Sequence, residues 1–271
     1  MPELPEVETT LRGITPHVLG QQIRAVVVRN AQLRWPVPET LRGELPDRHI
    51  ERMERRGKYL LLFAGDACLL VHLGMSGSLR ITSAYEPILK HDHIDIHLGN
   101  DRTLRYSDPR RFGCMLWLKG DPFQHPLLKS LGPEPLSGEF TGATLFDGSR
   151  GRKVPVKAFI MDSHVVVGVG NIYANEALFM AGIRPDRAAG RIAAARYDTL
   201  ADCIREILGR AIAMGGTTLR DFVGGDGKPG YFKQSLHVYG RGGQACDRCT
   251  GHLTEIRLGQ RSTVYCAVCQ R

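Results

Sequence analysis

The sequence lacks the long apolar runs that membrane-spanning proteins require. No uninterrupted hydrophobic stretch approaches the ~18 residues that a transmembrane helix needs. The first residues are acidic, not basic and then apolar, so no secretory signal peptide is predicted. Internal repeats and low-complexity tracts are also missing. These absences predict a cytoplasmic protein without a membrane partner.

Cysteine is scarce and odd in number: the 271 residues include 7 cysteines, which does not suit a disulfide framework. Four of them form two CxxC pairs, Cys246 with Cys249 and Cys266 with Cys269, at a spacing typical of a four-cysteine zinc site. Such a site leaves no open coordination position, so one structural zinc ion is predicted. Redox pairs or a disulfide pair are the alternative, but no strand–helix–strand pattern surrounds either pair. The other three cysteines lie in apolar surroundings and are predicted to be buried thiols: Cys68, Cys114 and Cys203.

Negative charge is in deficit, because 28 acidic residues stand against 36 lysines and arginines and the formal net charge is +8. A basic protein with a zinc element favours a polyanionic partner, and nucleic acid is the most common one. A ribosomal protein or a merely solvated basic surface is the alternative, since charge alone is weak evidence.

A segment rich in proline and glycine, 132–136, divides the chain. Before it, short apolar runs at the spacing of a β-sandwich or barrel predict strands at 23–28, 58–63, 68–73, 78–81, 93–98, 103–106 and 114–118. After it, helices are predicted over 172–181 and around the apolar face that runs from Leu200 to Ile212. The predicted domains are 1–131, 132–232 and a zinc segment, 233–271.

The residues after Met1 read PELPEVE and combine two prolines with three carboxylates. Methionine before a small residue is usually removed, so we expect the secondary amine of Pro2 to become the N-terminus. An α-amine titrates near pH ~8, against ~10.4 for lysine, and is therefore the better nucleophile at neutral pH. Its attack on an aldehyde carbon gives an iminium ion, which acidifies the neighbouring C–H. The alternative is an ordinary capped helix start, with glutamates that complement the helix dipole.

A series of separated motifs runs in order from Met1 nearly to Arg271. They are PELPEVET (2–9), RRGKYLL (55–61), HLGMSGSLR (72–80), KHDH (90–93), SDPRRFG (107–113), GVGNIYANEALF (168–179), GGTTLRDF (215–222), DGKPGYF (226–232) and the zinc segment. Together they resemble bacterial formamidopyrimidine-DNA glycosylase. The sister family, endonuclease VIII, shares Pro2 and Glu3 but usually departs at the next positions, so its preference for oxidised pyrimidines is the less favoured alternative. A non-catalytic zinc-finger DNA-binding protein is the other alternative, and it predicts a dispensable N-terminus.

The resemblance implies a base-excision repair enzyme that removes oxidised purines, chiefly 8-oxoguanine opposite cytosine and formamidopyrimidines, and then nicks the strand. It implies an α+β fold: an N-terminal β-sandwich with flanking helices, a C-terminal helix–two-turns–helix domain and a β-hairpin zinc finger with four cysteines. DNA would lie across the cleft between the halves. The partner would be double-stranded DNA that contains oxidised bases or abasic sites. We expect a monomer in the cytoplasm, associated with the nucleoid when on DNA.

The resemblance also implies four catalytic residues. Pro2, on which the chemistry agrees, would attack the sugar C1′, and Glu3 would donate the proton that the departing base requires. Partial burial would favour the protonated form of Glu3. Lys58 would contact phosphate and donate a proton, and Arg261, at a predicted hairpin tip, would bind the phosphates that flank the lesion. Glu6, one helical turn after Glu3, either holds Pro2 in place or is a structural acid.

Six further residues match DNA-contact positions of the family: Met75, His91, Arg110, Phe112, Arg152 and Asn171. Extracting a base leaves a void, which Met75, Arg110 and Phe112 would fill. Alone, Met75 and Phe112 would more often be core residues, but the flanking glycines favour exposed loop tips. Asn171 follows two glycines that let the backbone approach phosphate at a helix N-terminus. The loop 217–231 is predicted to cap the extruded base.

Overall fold

The chain divides into two compact units in a computed structural model that describes residues 2–83, 85–216 and 232–271. The first unit comprises the described residues of 1–129 and 214–233. The second comprises 130–213 and the described residues of 234–271. Each unit is therefore discontinuous in sequence. The predicted base-capping loop, 217–231, lies outside the described residues.

The first unit contains two four-stranded antiparallel sheets. Its strands are β1 (Ile23–Val28), β2 (Arg52–Arg56), β3 (Tyr59–Ala64), β4 (Ala67–His72), β5 (Ser78–Ser83), β6 (Asp92–Leu98), β7 (Arg102–Ser107) and β8 (Cys114–Lys119). Its helices are α1 (Leu4–Val18), α2 (Thr40–Glu44) and α3 (Pro126–Lys129). One sheet has the order β1-β6-β7-β5 and the other β2-β3-β4-β8. Apolar residues of both sheets and of α1 share one core, which confirms the predicted β-sandwich with flanking helices.

The sequence predicted the described strands of this unit to within two residues, with one exception. Strand β2 was missed because four of its five residues are charged, so it shows no apolar pattern. It forms one edge of its sheet, where charged residues discourage pairing with another chain. The strand predicted from residue 58 begins one residue later. Lys58 instead lies with Gly57 in the two-residue turn between β2 and β3, where Gly57 has a φ of +57°.

The second unit contains helices and one hairpin. Its helices are α4 (Gly142–Ser149), α5 (Val156–Ile160), α6 (Asn171–Met180) and α7 (Ala194–Ala213), and its strands are β9 (Leu253–Leu258) and β10 (Arg261–Cys266). Residues 161–170 run through turns between α5 and α6, which confirms the helix–two-turns–helix unit. The apolar face predicted for α7 is buried from Leu200 to Ala211, and Ile212 at its end is half-buried. Among the described helices, none is both long and apolar enough to cross a membrane.

Candidate active site and zinc centre

The predicted nucleophile and proton donor lie at the start of α1. Pro2 is buried, and Glu3, which caps the helix, is only 2% exposed. The backbone N–H of Glu3 donates to Oε2 of Glu6 at 2.8 Å, as in a capping box. This bond fixes the backbone directly after Pro2. It favours the interpretation in which Glu6 holds the N-terminus in place.

Arg55 joins α1 to the turn that contains Lys58. Its Nε donates to Oε2 of Glu8 at 2.9 Å, and its Nη1 donates to the carbonyl oxygen of Gly57 at 3.0 Å. Burial opposes the ionisation of Glu8, but the hydrogen bonds and charges of Arg55 and Arg12 outweigh it and hold the pKa of Glu8 below its usual value. A charge-assisted bridge therefore ties the N-terminal helix to the Lys58 turn.

His72 ends β4 close to the same turn. Its Nδ1 accepts the N–H of Gly74 at 3.0 Å, and its ring centroid lies 4.8 Å from that of Tyr59. Burial, followed by the charges of Lys58 and Arg34, lowers the pKa of His72 to about 4. The imidazole is therefore neutral at pH 7, and its proton is on Nε2, since Nδ1 is an acceptor.

Two loops of the first unit carry the predicted void-filling residues. Met75 is 38% exposed in the loop of residues 73–77, and Phe112 is 44% exposed in the loop of residues 108–113. Residues 73–77 form the Met75 loop, and residues 108–113 form the Phe112 loop. The guanidinium of Arg110 lies over the ring of Phe112, 4.7 Å from its centroid. Neither apolar side chain belongs to the core, as the flanking glycines indicated.

Sequence reasoning missed two buried polar residues within these loops, Ser76 and Asp108. Their side chains are joined by a hydrogen bond of 2.7 Å. His91, a predicted DNA contact, is half-buried beside them, and its carbonyl oxygen accepts the N–H of Asp108 at 3.1 Å. Both missed residues stand inside the motifs HLGMSGSLR and SDPRRFG, and this was the available signal. Their pairing spans 32 residues, which a local pattern cannot reveal.

Arg261 and Asn171 lie close together in the second unit. Arg261 is exposed and begins β10, next to the two-residue turn of the hairpin, as predicted. The carbonyl oxygen of Ser262 accepts Nδ2 of Asn171 at 3.1 Å and Nζ of Lys157 at 2.9 Å. These bonds fix the start of β10 beside the N-terminus of α6, whose N-cap is Gly170. Lys157, which is 2% exposed, was missed, because a lysine in an apolar segment gave no functional pattern.

Arg152 is the remaining predicted DNA contact. It is exposed just after α4, and its Nε donates to the carbonyl oxygen of Gly148 at 3.2 Å. Its guanidinium carbon lies 5.9 Å from the ring centroid of Phe159. The side chain is therefore supported by its own helix and keeps its charge at the surface.

The two CxxC pairs meet at the hairpin of the second unit. All four sulfur atoms lie within 4.8 Å of one another, with 3.9 Å between Cys246 and Cys269 and 3.5 Å between Cys249 and Cys266. Tetrahedral zinc with Zn–S bonds of ~2.3 Å needs sulfur atoms about 3.8 Å apart, so the set fits this metal. Burial opposes the ionisation of Cys266, but backbone N–H groups and the neighbouring thiols lower its pKa to about 7.

The other three cysteines have thiols whose pKa is raised by burial. Cys68 and Cys114 are buried, as predicted, and burial raises the pKa of each thiol to about 12. Cys203 is half-buried, which makes the prediction of full burial wrong, because its side chain lies on a helix with exposed neighbours. Burial still raises the pKa of its thiol.

Glu176 of α6 holds the segment that leads to the first cysteine pair. It is fully buried, and its carboxylate accepts the backbone N–H groups of His237, Val238 and Tyr239 at 2.8, 2.9 and 2.8 Å. One helix thus fixes both the start of β10 and the approach to the zinc ligands.

Three family models match the chain. "Formamidopyrimidine-DNA glycosylase N-terminal domain" matches residues 1–115, and "Formamidopyrimidine-DNA glycosylase H2TH domain" matches residues 131–223. "Zinc finger found in FPG and IleRS" matches residues 243–271. The last match, together with the geometry of the four sulfur atoms, confirms the prediction of one structural zinc ion.

Full-length relatives agree with these matches. Formamidopyrimidine-DNA glycosylases of Stutzerimonas stutzeri and Cellvibrio japonicus are 62% and 59% identical over 271 residues, and each alignment covers 100% of both chains. A solved structure of a Lactococcus lactis FPG mutant in complex with DNA containing Fapy-dG is 33% identical, with a TM-score of 0.93 and 100% of both chains covered. The MutM (FPG) protein of Thermus thermophilus is 39% identical, with a TM-score of 0.90 and coverage of 99% of this chain and 98% of that one. Motifs, fold, zinc centre and relatives agree over the full length, and the chain belongs to the formamidopyrimidine-DNA glycosylase family.

Proposed function

We propose that Pro2 and Glu3 are the nucleophile and the general acid of this enzyme. As a member of its family, the chain is a base-excision repair glycosylase that removes oxidised purines from DNA and also acts as an abasic-site lyase. Solved relatives are complexes with DNA containing Fapy-dG, an abasic site or carbocyclic 8-oxo-G, which supports the same substrate class here. The observation that carries the residue assignment is the burial of Pro2 and Glu3 at the capped start of α1.

The first step replaces one bond at the sugar by another. After Met1 is removed, the Pro2 nitrogen bonds to C1′, and the C1′–N bond to the base breaks with its electron pair on the base. The nitrogen lone pair then opens the C1′–O4′ bond, the amine proton passes to O4′, and a ring-opened iminium ion remains. Glu3 donates its carboxyl proton to the departing base. Burial of this carboxyl favours the protonated form that the step requires.

The second stage cleaves the strand. The iminium ion withdraws electrons from C2′, so a C2′ proton is lost and the 3′ phosphate leaves with the C3′–O electron pair. A second elimination expels the 5′ phosphate. Lys58, in the turn that Arg55 ties to α1, would contact phosphate and donate a proton. Arg261, at the start of β10, would bind the flanking phosphates with its planar fork.

The remaining assigned residues hold the DNA. Met75, Arg110 and Phe112 would occupy the void that the extruded base leaves, and their exposure supports this role. Three others would contact the backbone: His91, Arg152 and Asn171. Cys246, Cys249, Cys266 and Cys269 would fill the four coordination positions of a zinc ion, so the metal would take no part in the chemistry and would fix the hairpin that carries Arg261. A DNA substrate and bacterial relatives support a site of action in the cytoplasm, at the nucleoid.

Borohydride trapping tests the nucleophile directly. Reduction of the iminium ion should join protein and lesion-containing duplex in one cross-linked species, and peptide mapping should place the adduct on Pro2. A retained Met1 or an N-terminal tag should abolish trapping, because an amide nitrogen is not nucleophilic. Pro2→Gly replaces the secondary amine by a primary amine and should retain weak trapping.

Glu3→Gln tests the acid separately. It should abolish base excision but leave cleavage of a preformed abasic site, whose aldehyde needs no leaving-group protonation. Glu39→Gln, at an exposed carboxylate of the same unit, is the matched control and should retain both activities. An adduct on Lys58, or full activity with a blocked N-terminus, would overturn the mechanism.

A further inference from the structure

We infer that Asp108 and Ser76 are positioning residues that join the Met75 loop and the Phe112 loop into one rigid unit, so that the void-filling side chains enter the duplex together. This inference rests on the proposed role of Met75, Arg110 and Phe112. In this inference, neither Asp108 nor Ser76 contacts DNA. Both are buried: Asp108 is 0% and Ser76 is 6% exposed.

The Asp108 carboxylate is surrounded by four donors. Its Oδ1 accepts the hydroxyl of Ser76 at 2.7 Å and the N–H of Arg110 at 3.3 Å. Its Oδ2 accepts the N–H of Gly113 at 2.9 Å and the hydroxyl of Tyr106 at 3.3 Å. Two of these donors are shared, because the N–H of Arg110 also lies 3.1 Å from the hydroxyl oxygen of Ser76 and the hydroxyl of Tyr106 also lies 3.3 Å from the carbonyl oxygen of His72. The aspartate thus fixes both ends of the Phe112 loop.

Ser76 carries the connection across to the other loop. Its hydroxyl oxygen accepts the N–H of Arg110 at 3.1 Å while its proton is donated to Asp108. Ser76 directly follows Met75, and Arg110 itself is one of the void-filling residues. The hydroxyl of Ser76, in the Met75 loop, therefore bonds both to the backbone N–H of Arg110 and to the carboxylate of Asp108 in the Phe112 loop.

The two loops are also in steric contact. A Cβ at Gly74 would lie 2.4 Å from the nitrogen of Gly113 and 2.5 Å from the carbonyl carbon of Phe112. A Cβ at Gly113 would lie 2.3 Å from the carbonyl oxygen of His72. The two backbones touch where only glycine leaves space, so a displacement of one loop must displace the other.

The backbone of Asp108 anchors this pair of loops to a third segment. Its N–H donates to the carbonyl oxygen of His91 at 3.1 Å. Its carbonyl oxygen accepts Nε2 of His93 at 2.8 Å, and because a carbonyl only accepts, that nitrogen carries the proton. The exposed side chains of Met75 and Phe112 are thus carried by a buried, hydrogen-bonded backbone. This preorganisation removes the entropic cost of ordering each loop separately.

Amide hydrogen exchange without DNA tests the coupling itself. Ser76→Ala changes the Met75 loop, yet we expect faster exchange in the Phe112 loop, by about five- to tenfold at Arg110, as loss of one buried hydrogen bond predicts. Asp108→Asn keeps the shape of the side chain and should act in the same direction. Thr103→Ala, which removes a buried hydroxyl bonded to His97, is the matched control and should leave residues 108–113 unchanged. Unchanged exchange of 108–113 in Ser76→Ala would overturn the inference.

A fluorescent base beside the lesion tests the consequence, through the rate of base extrusion. If Met75→Ala and Phe112→Ala each slow extrusion about tenfold, the double variant should slow it about ten- to thirtyfold, because coupled residues are not additive. In the Ser76→Ala background the two losses should multiply. If the two losses of extrusion rate multiply in the native background, the coupling between the loops is refuted, but the void-filling role is not. Unchanged extrusion in both single variants overturns the void-filling role, and this result is distinct because the exchange experiment does not depend on it.

Discussion

Glu176→Gln should destabilise the second unit strongly although it changes neither the size nor the shape of the side chain. Both carboxylate oxygens of Glu176 accept backbone hydrogen bonds. Oε1 accepts the N–H groups of Val238 and Tyr239, and Oε2 accepts that of His237. Glutamine offers one oxygen and one N–H2 group. In either orientation, at least one backbone N–H then faces another donor inside the protein.

The magnitude follows from these contacts. A hydrogen bond to a charged acceptor contributes ~1.5–3 kcal/mol, and a buried donor left without an acceptor costs ~1–3 kcal/mol. Glu176 is 0% exposed, so water cannot replace the lost acceptor without rearrangement. We expect the free energy of unfolding to fall by about 3 kcal/mol, and the melting temperature of this unit to fall by about 10 °C.

Calorimetry of the zinc-loaded protein measures both quantities. Glu206→Gln on α7 is the matched control, because that carboxylate is exposed and lies 3.7 Å from Nη1 of Arg210. It should change stability by less than ~0.5 kcal/mol. Equal melting temperatures for the two variants would refute the reasoning, since they would mean that burial and three backbone bonds add nothing at Glu176.

Three further predictions concern the metal, the DNA and pH. Cys249→Ser should remove the zinc ion and DNA binding while the β-sandwich stays folded, as metal analysis, binding and circular dichroism can check; normal DNA binding without metal would contradict it. Neutralisation of about five phosphates predicts a log–log salt slope near −4 or −5, which Arg261→Ala should flatten by about one; an unchanged slope would contradict the phosphate role. The pKa of His72 falls from 6.5 to about 4 in the folded protein, so the unfolded chain binds the proton more tightly and stability declines as pH falls through this interval. At ~1.36 kcal/mol per pH unit the loss is at most about 3.4 kcal/mol, less solvent screening. His72→Asn should flatten this decline in pH-dependent denaturant unfolding, and parallel curves would argue against it.

Local patterns made much of the fold predictable. Strands β3 and β4 are nearly continuous apolar runs because both are buried along most of their length, and α7 shows its buried face at helical spacing. The zinc ligands were predictable because two cysteine pairs at this spacing have few other uses. Strand β2 was not, since a half-buried edge strand of charged residues carries no apolar signal.

The support of the candidate site was less accessible to sequence reasoning. Asp108, Glu176 and Lys157 act through bonds to partners 32, 61 to 63 and 105 to 106 residues away. No periodicity records such distances, and each residue alone looks like an ordinary polar side chain. The roles of Pro2 and Glu3 were proposed from chemistry and resemblance, but their burial became visible only in the folded chain.

The interleaving of the two units has a consequence for how the protein is made. The chain leaves the first unit after Lys129 and returns to it at Met214. Gly216 then packs on Glu6, which accepts the backbone N–H of Glu3, since a Cβ there would lie 3.1 Å from Oε1 of Glu6. On the ribosome, Pro2 therefore emerges first but gains its full surroundings late in translation. A gene fragment that stops at Lys129 encodes an incomplete first unit, and truncations or permutations intended to isolate it must retain residues 214–233.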